Sequence, residues 1–250
     1  MMRTNFKGIV LFTRPYREKD GLVKIFTEDQ GTQMFFVRGF NQATHSLKSQ
    51  LIPLTYNDYW GTINQEGMSF LQEARTLNFY RPIHEDIEKH AYGIYLAQLI
   101  DASINDRENH PELFALLQDA LELMVKSTMY PVIATYVELF LLPYFGVHFD
   151  FHHCVVCHKP HYEMDFSMRL NGMLCSDHAH LDEMRWLLSP KVVYLLQVLS
   201  KAKLKQIRSI DVSDETLKML RDFMSALYQE YVGIRLKSKS YLDKLQKYLT

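Results

Sequence analysis

Three cysteines and one histidine carry the clearest chemistry in this 250-residue chain. Cys154 and Cys157 stand in HHCVVCHKPH (152–161), and Cys175 and His178 stand in GMLCSDH (172–178). Alone, the first stretch spells three chemistries: covalent haem attachment, a dithiol redox pair, or half of a zinc site. Haem is attached outside the cytosol, and the N-terminal MMRTNFKGIVLFTRPYREKD reads as no export signal: a short apolar patch, then charge, with no small-residue cleavage site. A redox dithiol belongs at a helix N-terminus after a strand, and this pair lies between two helical stretches. The second stretch decides the matter. The full pattern is C-x2-C-x17-C-x2-H, whose gap suits a short hairpin or loop that folds one ligand pair onto the other. Thiolates with an imidazole satisfy tetrahedral zinc, and four protein ligands leave no open position, so the site is structural. His178 repeats the two-residue gap and is the expected fourth ligand; His152, His153, His158, His161 and His180 are nearby substitutes. Three buried thiols without metal would not explain the paired spacing.

No P-loop, dinucleotide fingerprint, H-E-x-x-H or nucleophile elbow occurs, and the carboxylate pairs fall on polar helix faces. The chain therefore reads as a non-enzyme. A metal-dependent nuclease is a distant alternative, because the carboxylate cluster it needs is not visible. No apolar run approaches the roughly 18 residues of a membrane span. Three cysteines without an export signal point to a reducing cytosol.

The net charge of −1 conceals segregation. Residues 1–80 carry +2, 81–150 carry −7, 151–190 carry −2 and 191–250 carry +6. Solvated helix faces explain some of this; the sharper reading is that the two chain ends meet a polyanion.

The elements that position these groups follow from periodicity. GIVLFT (8–13), LVKIFT (22–27), TQMFFVRGF (32–40), LTYNDYWGTI (54–63) and MSFLQEARTLNFY (68–80) are rich in β-branched and aromatic residues. Arg14-Pro15, Lys19-Asp20-Gly21, Glu28–Gly31 and Gln65-Glu66-Gly67 read as turns between them. Five short strands in this span predict a small closed or partly open barrel. After Arg81-Pro82 the period becomes helical: a helix over 83–104 with Ile87, Ala91, Ile94, Tyr95, Leu99 and Ala102 on one face, then helices over 111–125, 131–146, 189–202 and 214–236. Leu217, Leu220, Met224, Leu227, Tyr228 and Tyr231 form the core stripe of the last. The expected class is an α+β multidomain chain: a barrel over 1–80 and an all-helical domain over 81–250, interrupted by a zinc-binding loop at 150–180.

Three stretches carry a family likeness: GIVLFTRPYREKDGLVKIFTEDQGTQMFFVRG (8–39), the CVVCH…GMLCSDH loop, and YVGIRLKSKSYLDKL (231–245). Together they resemble the RecO family of bacterial DNA repair and recombination mediators, over essentially the whole chain. The resemblance implies an OB-fold for the five-stranded barrel and a helical C-terminal domain. It implies binding of single- and double-stranded DNA, strand annealing, partnership with RecR, and recognition of the single-stranded-DNA-binding protein's tail, so that RecA loads onto coated strands. It places the chain in the cytoplasm, at the nucleoid, with no membrane or small-molecule substrate. Lys7, Arg14, Arg17, Lys19, Lys24, Arg38 and Lys48 are the expected phosphate contacts, with Phe12, Tyr16, Phe35, Phe36 and Tyr59 available to stack on bases. Alternation puts Phe35 and Phe36 on opposite faces, so one of them is core. The tail is acidic and ends in phenylalanine. Its complement is an apolar pocket rimmed by Arg235, Lys237 and Lys239, with Lys244 and Lys247 in the same cluster, or by Lys201, Lys203, Lys205 and Arg208. Residues 37–50 offer only Arg38 and Lys48, which predicts a shallow salt dependence of DNA binding. A zinc-containing adaptor acting only through protein contacts is the alternative function.

Overall fold

The computed structural model describes residues 4–64, 67–207 and 212–249, the side chain of Leu249 excepted. Seven strands, β1 (Thr4–Tyr16), β2 (Asp20–Thr27), β3 (Gly31–Val37), β4 (Tyr56–Thr62), β5 (Ser69–Asn78), β6 (Met164–Ser167) and β7 (Gly172–Cys175), occur among these residues. The α-helices are α1 (Arg81–Glu85), α2 (Ile87–Ala102), α3 (Pro111–Lys126), α4 (Tyr130–Leu141), α5 (Pro190–Lys201), α6 (Asp214–Leu227) and α7 (Lys237–Leu249). They form two compact units, Met1–Thr128 with Leu236–Thr250, and Met129–Arg235.

In the first unit the strands close a barrel in the order β1-β2-β3-β5-β4, with β4 returning onto β1. The β3–β5 pair is parallel and the others antiparallel, the topology of an OB-fold. Alternation sends Phe6, Val10, Val23, Ile25, Phe35, Val37, Tyr59 and Leu71 inward. Phe6 stacks between Phe35 and Tyr59, with ring centroids 5.2 Å and 5.3 Å away. A bulge interrupts β1 between Val10 and Phe12. Val10 pairs with inward Ile25, yet Phe12 pairs with Lys24 and Thr13 with inward Val23. The extra residue, Leu11, thus reverses the facing of the rest of the strand and turns Phe12, Arg14 and Tyr16 outward.

Arg14-Pro15 reads as a turn in sequence, but both residues remain in β1. β1 pairs with β4 only as far as Ile9, so Pro15 sits where one edge carries no ladder. The β1–β2 turn falls on Arg17–Lys19, and Asp20 already belongs to β2. Gln65 and Glu66 of the expected β4–β5 turn lie outside the described residues; Gly67 takes φ +83°. Residues 38–55 are largely turns that send Leu47 and Leu51 into the barrel core.

The single helix expected over 83–104 is divided at Asp86. Its carboxylate accepts the backbone N–H groups of Glu88 and Lys89 at 2.9 Å and 3.0 Å and so caps α2. The expected stripe is too narrow: Tyr92, Leu96, Ala97 and Ile100 are buried as well, whereas Ile87 is 59% exposed. α2 is enclosed by α1, α3, α7 and β1, which removes the solvent face a stripe requires. A Cβ on Gly93 would meet Leu54 Cδ1 at 2.6 Å, so glycine is what admits the 38–55 loop to α2.

The second unit packs α4, α5 and α6 together, with the β6–β7 hairpin against α5. Pro190 at the first helical position and Ser189, accepting from the Val192 N–H, start α5. α6 buries Leu220, Phe223, Met224 and Leu227, while Leu217 and Tyr231 are only half-buried. It widens into a π turn at Tyr228–Val232 and stops at Gly233, φ +72°, short of the expected end at 236. No helix among the described residues is long and apolar enough to cross a membrane.

Candidate metal centre and nucleic-acid interface

The β6–β7 hairpin occupies the 17-residue gap between the two ligand pairs. Cys175 is the last residue of β7, and a short 3-10 turn, Ser176–Leu181, presents His178. Cys154 is bridged to Met173 of β7, and the Val155 N–H donates to the Met173 carbonyl at 2.7 Å. The first pair is therefore carried on the hairpin that ends in the second. The CVVCH turn closes by His158 N–H donation to the Cys154 carbonyl at 2.8 Å, with His158 at φ +58°. The three sulfurs and a His178 nitrogen lie within 4.8 Å of one another. His178 Nδ1 is 3.1 Å from Cys175 Sγ and 3.6 Å from Cys154 Sγ. Burial acts to raise the Cys154 pKa, but backbone amides of Cys157, Cys175 and Val156 outweigh it and bring the thiol down to about 6. This soft donor set, compact and enclosed, could hold a metal ion. Of the substitute histidines, His161 Nε2 lies 3.4 Å from Cys157 Sγ at the margin, while the His153 ring bonds Asp150 at 2.6 Å.

The second arrangement is on the barrel. Because of the bulge, Arg14 and Tyr16 share the outer face with Phe36 of β3 and Phe70 of β5. Tyr16 meets Phe36 edge-on at 6.1 Å and Phe36 meets Phe70 at 5.9 Å, and Phe70 is 40% exposed. Arg14 lies 5.8 Å over Phe12 and Arg17 lies 5.3 Å over Tyr16. The loop after β3 is stitched to the β1–β2 turn: the Gly39 N–H donates to Asp20 Oδ1 at 2.8 Å and the Asn41 N–H to the Lys19 carbonyl at 2.9 Å. Those bonds draw exposed Arg38 towards exposed Arg17 and Lys19. Lys48 lies 5.8 Å over Phe40, the ring that covers Gly21. Phe70, and the exposed Met68 beside it, were not expected in this row; the only sequence signal for Phe70 is its period-2 place on β5.

Two expected phosphate contacts stand elsewhere. Lys7 is exposed but lies seven residues before Arg14 along β1, roughly 20 Å away at ~3.3 Å per residue. Lys24 is 9% exposed, with its Nζ 2.6 Å from Asp101 and 2.7 Å from Asp106. Burial alone would lower the Lys24 pKa; the hydrogen bonds and charges of the two aspartates reverse that and hold it above its ordinary value. Asp106 accepts from Lys24 and from the Thr32 hydroxyl, which overcome burial and depress its pKa. Asp101 is raised, because its burial exceeds what one lysine returns. Lys24, expected at phosphate, has its charge matched inside the unit by these two aspartates. Phe35 and Tyr59 likewise are barrel core, at 0% exposure, and offer no face to a base.

Of the expected partner-binding cations, Arg235 is the last residue of the second unit, and Lys237 and Lys239 stand in the first turn of α7 in the first. Lys239 bonds Asp243 at 2.5 Å and lies over Tyr95. In the second unit, a groove of about 390 Å³ is lined by Tyr136, Phe140, Phe149, Phe151 and Leu199, with Lys201 and Lys203 at its edge. Lys205 is exposed, and Arg208 lies outside the described residues.

The RecO N-terminal family model (recombination protein O N terminal) matches residues 1–80, and its C-terminal counterpart matches 84–240. The chain is 38% identical to the DNA repair protein RecO of Enterococcus faecalis over 240 residues, covering 96% of this chain and 92% of the relative. It is 40% identical to the DNA repair protein RecO of Streptococcus pyogenes serotype M49 over 248 residues, 99% of this chain and 98% of the relative. With the closed five-stranded barrel, the helices that follow it and the Cys3His cluster in place, these matches show that the chain belongs to the RecO family of DNA repair proteins.

Proposed function

We propose that the chain is a non-enzymatic recombination mediator that binds and anneals single-stranded DNA through the outer face of its barrel. The observation that carries this is the row of Tyr16, Phe36 and Phe70 on one outer face, with Arg14, Arg17, Lys19 and Arg38 gathered about it. Aromatic faces accept any base and guanidinium groups accept any phosphate, which suits a protein that works on arbitrary sequence. Double-stranded DNA binds through the same cations, without the stacking. Lys48 extends the surface, Lys7 adds a separate contact, and Lys24 takes no part. The chain acts in the cytoplasm on nucleoid DNA, with RecR as partner, and helps RecA onto strands coated by the single-stranded-DNA-binding protein. The groove edged by Lys201 and Lys203 is the proposed seat of that protein's tail: its aromatic and aliphatic walls suit a terminal phenylalanine and the lysines suit the acidic residues before it. The Cys3His cluster holds one structural zinc, since three thiolates and an imidazole are its preferred set.

Titration of a fluorescent single strand against salt tests the reading. About five phosphate contacts give a slope of log K on log salt near −3.5. Reversal of Arg14 and Arg17 to Glu should weaken binding about tenfold or more and flatten that slope. Salt-independent binding, or full affinity in the reversed variant, would sink it. The alternative, an adaptor acting only through protein contacts, draws on the Lys201/Lys203 groove. It predicts that the Arg14→Glu/Arg17→Glu variant keeps full activity in annealing of precoated strands.

A further inference from the structure

The barrel face is one surface, and annealing brings two strands together. A second surface of the same chemistry lies on α7, in the same compact unit. α7 sits on α2 through Leu242, 2% exposed, and Gln246, whose amide bonds the Tyr92 hydroxyl. Ser238 is buried on this side, and Lys239 is engaged by Asp243 and Tyr95. The opposite side of the helix carries Lys237, Tyr241, Lys244 and Tyr248. At about 100° per residue these four fall within a stripe roughly 60° wide, running about 16 Å along the axis, with Lys247 beside it. All three lysines are exposed, Tyr241 is 53% exposed and Tyr248 87%.

A solvated helix face explains lysines, and lysines near a helix C-terminus also suit its dipole. Neither explains two tyrosines in the same stripe. Exposed aromatic rings gain nothing from water, and α7 already has its apolar contact through Leu242. Alternating cations and open rings, with no acid among the four, match one ligand chemistry: phosphates at regular spacing with planar bases between them.

We infer that the exposed face of α7 is a second single-strand-binding surface, which holds the complementary strand while the barrel holds the first. Its role in annealing rests on strand binding by the barrel; the binding itself does not. Lys237, expected at a peptide-binding rim, belongs to this stripe.

The test uses the full chain with Lys244→Glu/Lys247→Glu and, separately, Tyr241→Ala/Tyr248→Ala. A fluorescent oligothymidylate is titrated at low salt, well above its dissociation constant, and annealing of complementary strands is followed by energy transfer. The expected result is a fall from two strands per chain to one and annealing slower by about tenfold, with the affinity for the remaining strand kept within about twofold. In the charge variant the salt slope of the lost site, about −0.7 per lysine, disappears with it. Unchanged stoichiometry together with unchanged annealing overturns the proposal, including the case in which the stripe serves an acidic protein segment. Should a double variant lose helical content by circular dichroism, Tyr248→Ala alone repeats the measurement at a fully accessible position. Arg14→Glu/Arg17→Glu separates the two surfaces. If that variant keeps full affinity, the barrel reading fails while α7 stands, and the α7 variants then abolish binding altogether.

Discussion

His178 and His161 both lie against cysteine sulfurs, yet only His178 joins the group in which every ligand atom is within 4.8 Å of the rest. The proposed zinc binding therefore distinguishes them. His178→Ala should lower metal content from one per chain to none, and Cys175→Ser should do the same. Each should destabilise the second unit by at least about 3 kcal/mol, a fraction of the ~10–16 kcal/mol that structural zinc contributes in metal-folded peptides. His161→Ala should keep its metal. Atomic emission on purified variants and thermal melting check all three; metal retained in Cys175→Ser rejects the site. At this scale the sequence is most informative, because C-x2-C-x17-C-x2-H is a local pattern whose geometry follows from one hairpin. Phe70 shows the limit. It becomes part of an aromatic row only through the parallel β3–β5 pairing, Phe36 against Phe70, and no spacing along the chain encodes that pairing.

Lys24 marks the corresponding limit for elements. Strands, barrel and most helices are legible in runs and periods, since each is set by residues a few positions apart. The partners of Lys24 are not, because Asp101 lies in the last turn of α2 and Asp106 in the following loop, more than seventy residues downstream. The bulge at Leu11 is equally silent: a period-2 reading of β1 places Phe12, Arg14 and Tyr16 inside with Val10, and one extra residue puts them outside. Removing one partner of a buried pair leaves the other charge uncompensated, at a cost of about 3–5 kcal/mol. Lys24→Met should fall at the lower end, near 3 kcal/mol by urea unfolding, because Asp106 is half exposed and can hydrate. The pH dependence has a fixed sign. The Lys24 pKa is raised above 10.5, so its contribution is whole below that value and is lost as pH climbs past the folded pKa. Asp106 is depressed below 3.8, so its contribution is whole above that value and is lost as pH falls through the folded pKa. Lys24→Met should therefore differ from the parent most near neutrality and converge with it at both extremes. A stability gap that does not narrow as pH climbs past the raised Lys24 pKa would count against the ion pair as its cause.

For the whole molecule, the charge segregation along the chain acquires a location. The basic first 80 residues are the barrel, the acidic stretch 81–150 runs through α1–α3 and on through α4, and the basic segment 191–250 spans α5 and α6 before ending as α7 in the unit that the barrel begins. Strands give way to helix at Arg81, as the sequence indicates, whereas the compact unit continues to Thr128 and is completed only by Leu236–Thr250. Such closure depends on contacts between α2 and α7, well over a hundred residues apart, which local periodicity does not reach. It makes the last helix a structural part of the unit proposed to bind DNA and sets up a test of unit independence. Leu242→Ala removes the buried side chain by which α7 seats on α2, and leaves a cavity costing about 2–5 kcal/mol. Calorimetry should show one transition moving down while the other, belonging to the unit with the Cys3His cluster, stays with its metal content unchanged. Affinity for a single strand in the folded state should also persist, because Leu242 faces away from the Tyr241–Tyr248 stripe and contributes nothing to the barrel face. If metal loss instead accompanies Leu242→Ala, or if its melting matches the parent, then α7 does not close the first unit in the way these contacts require.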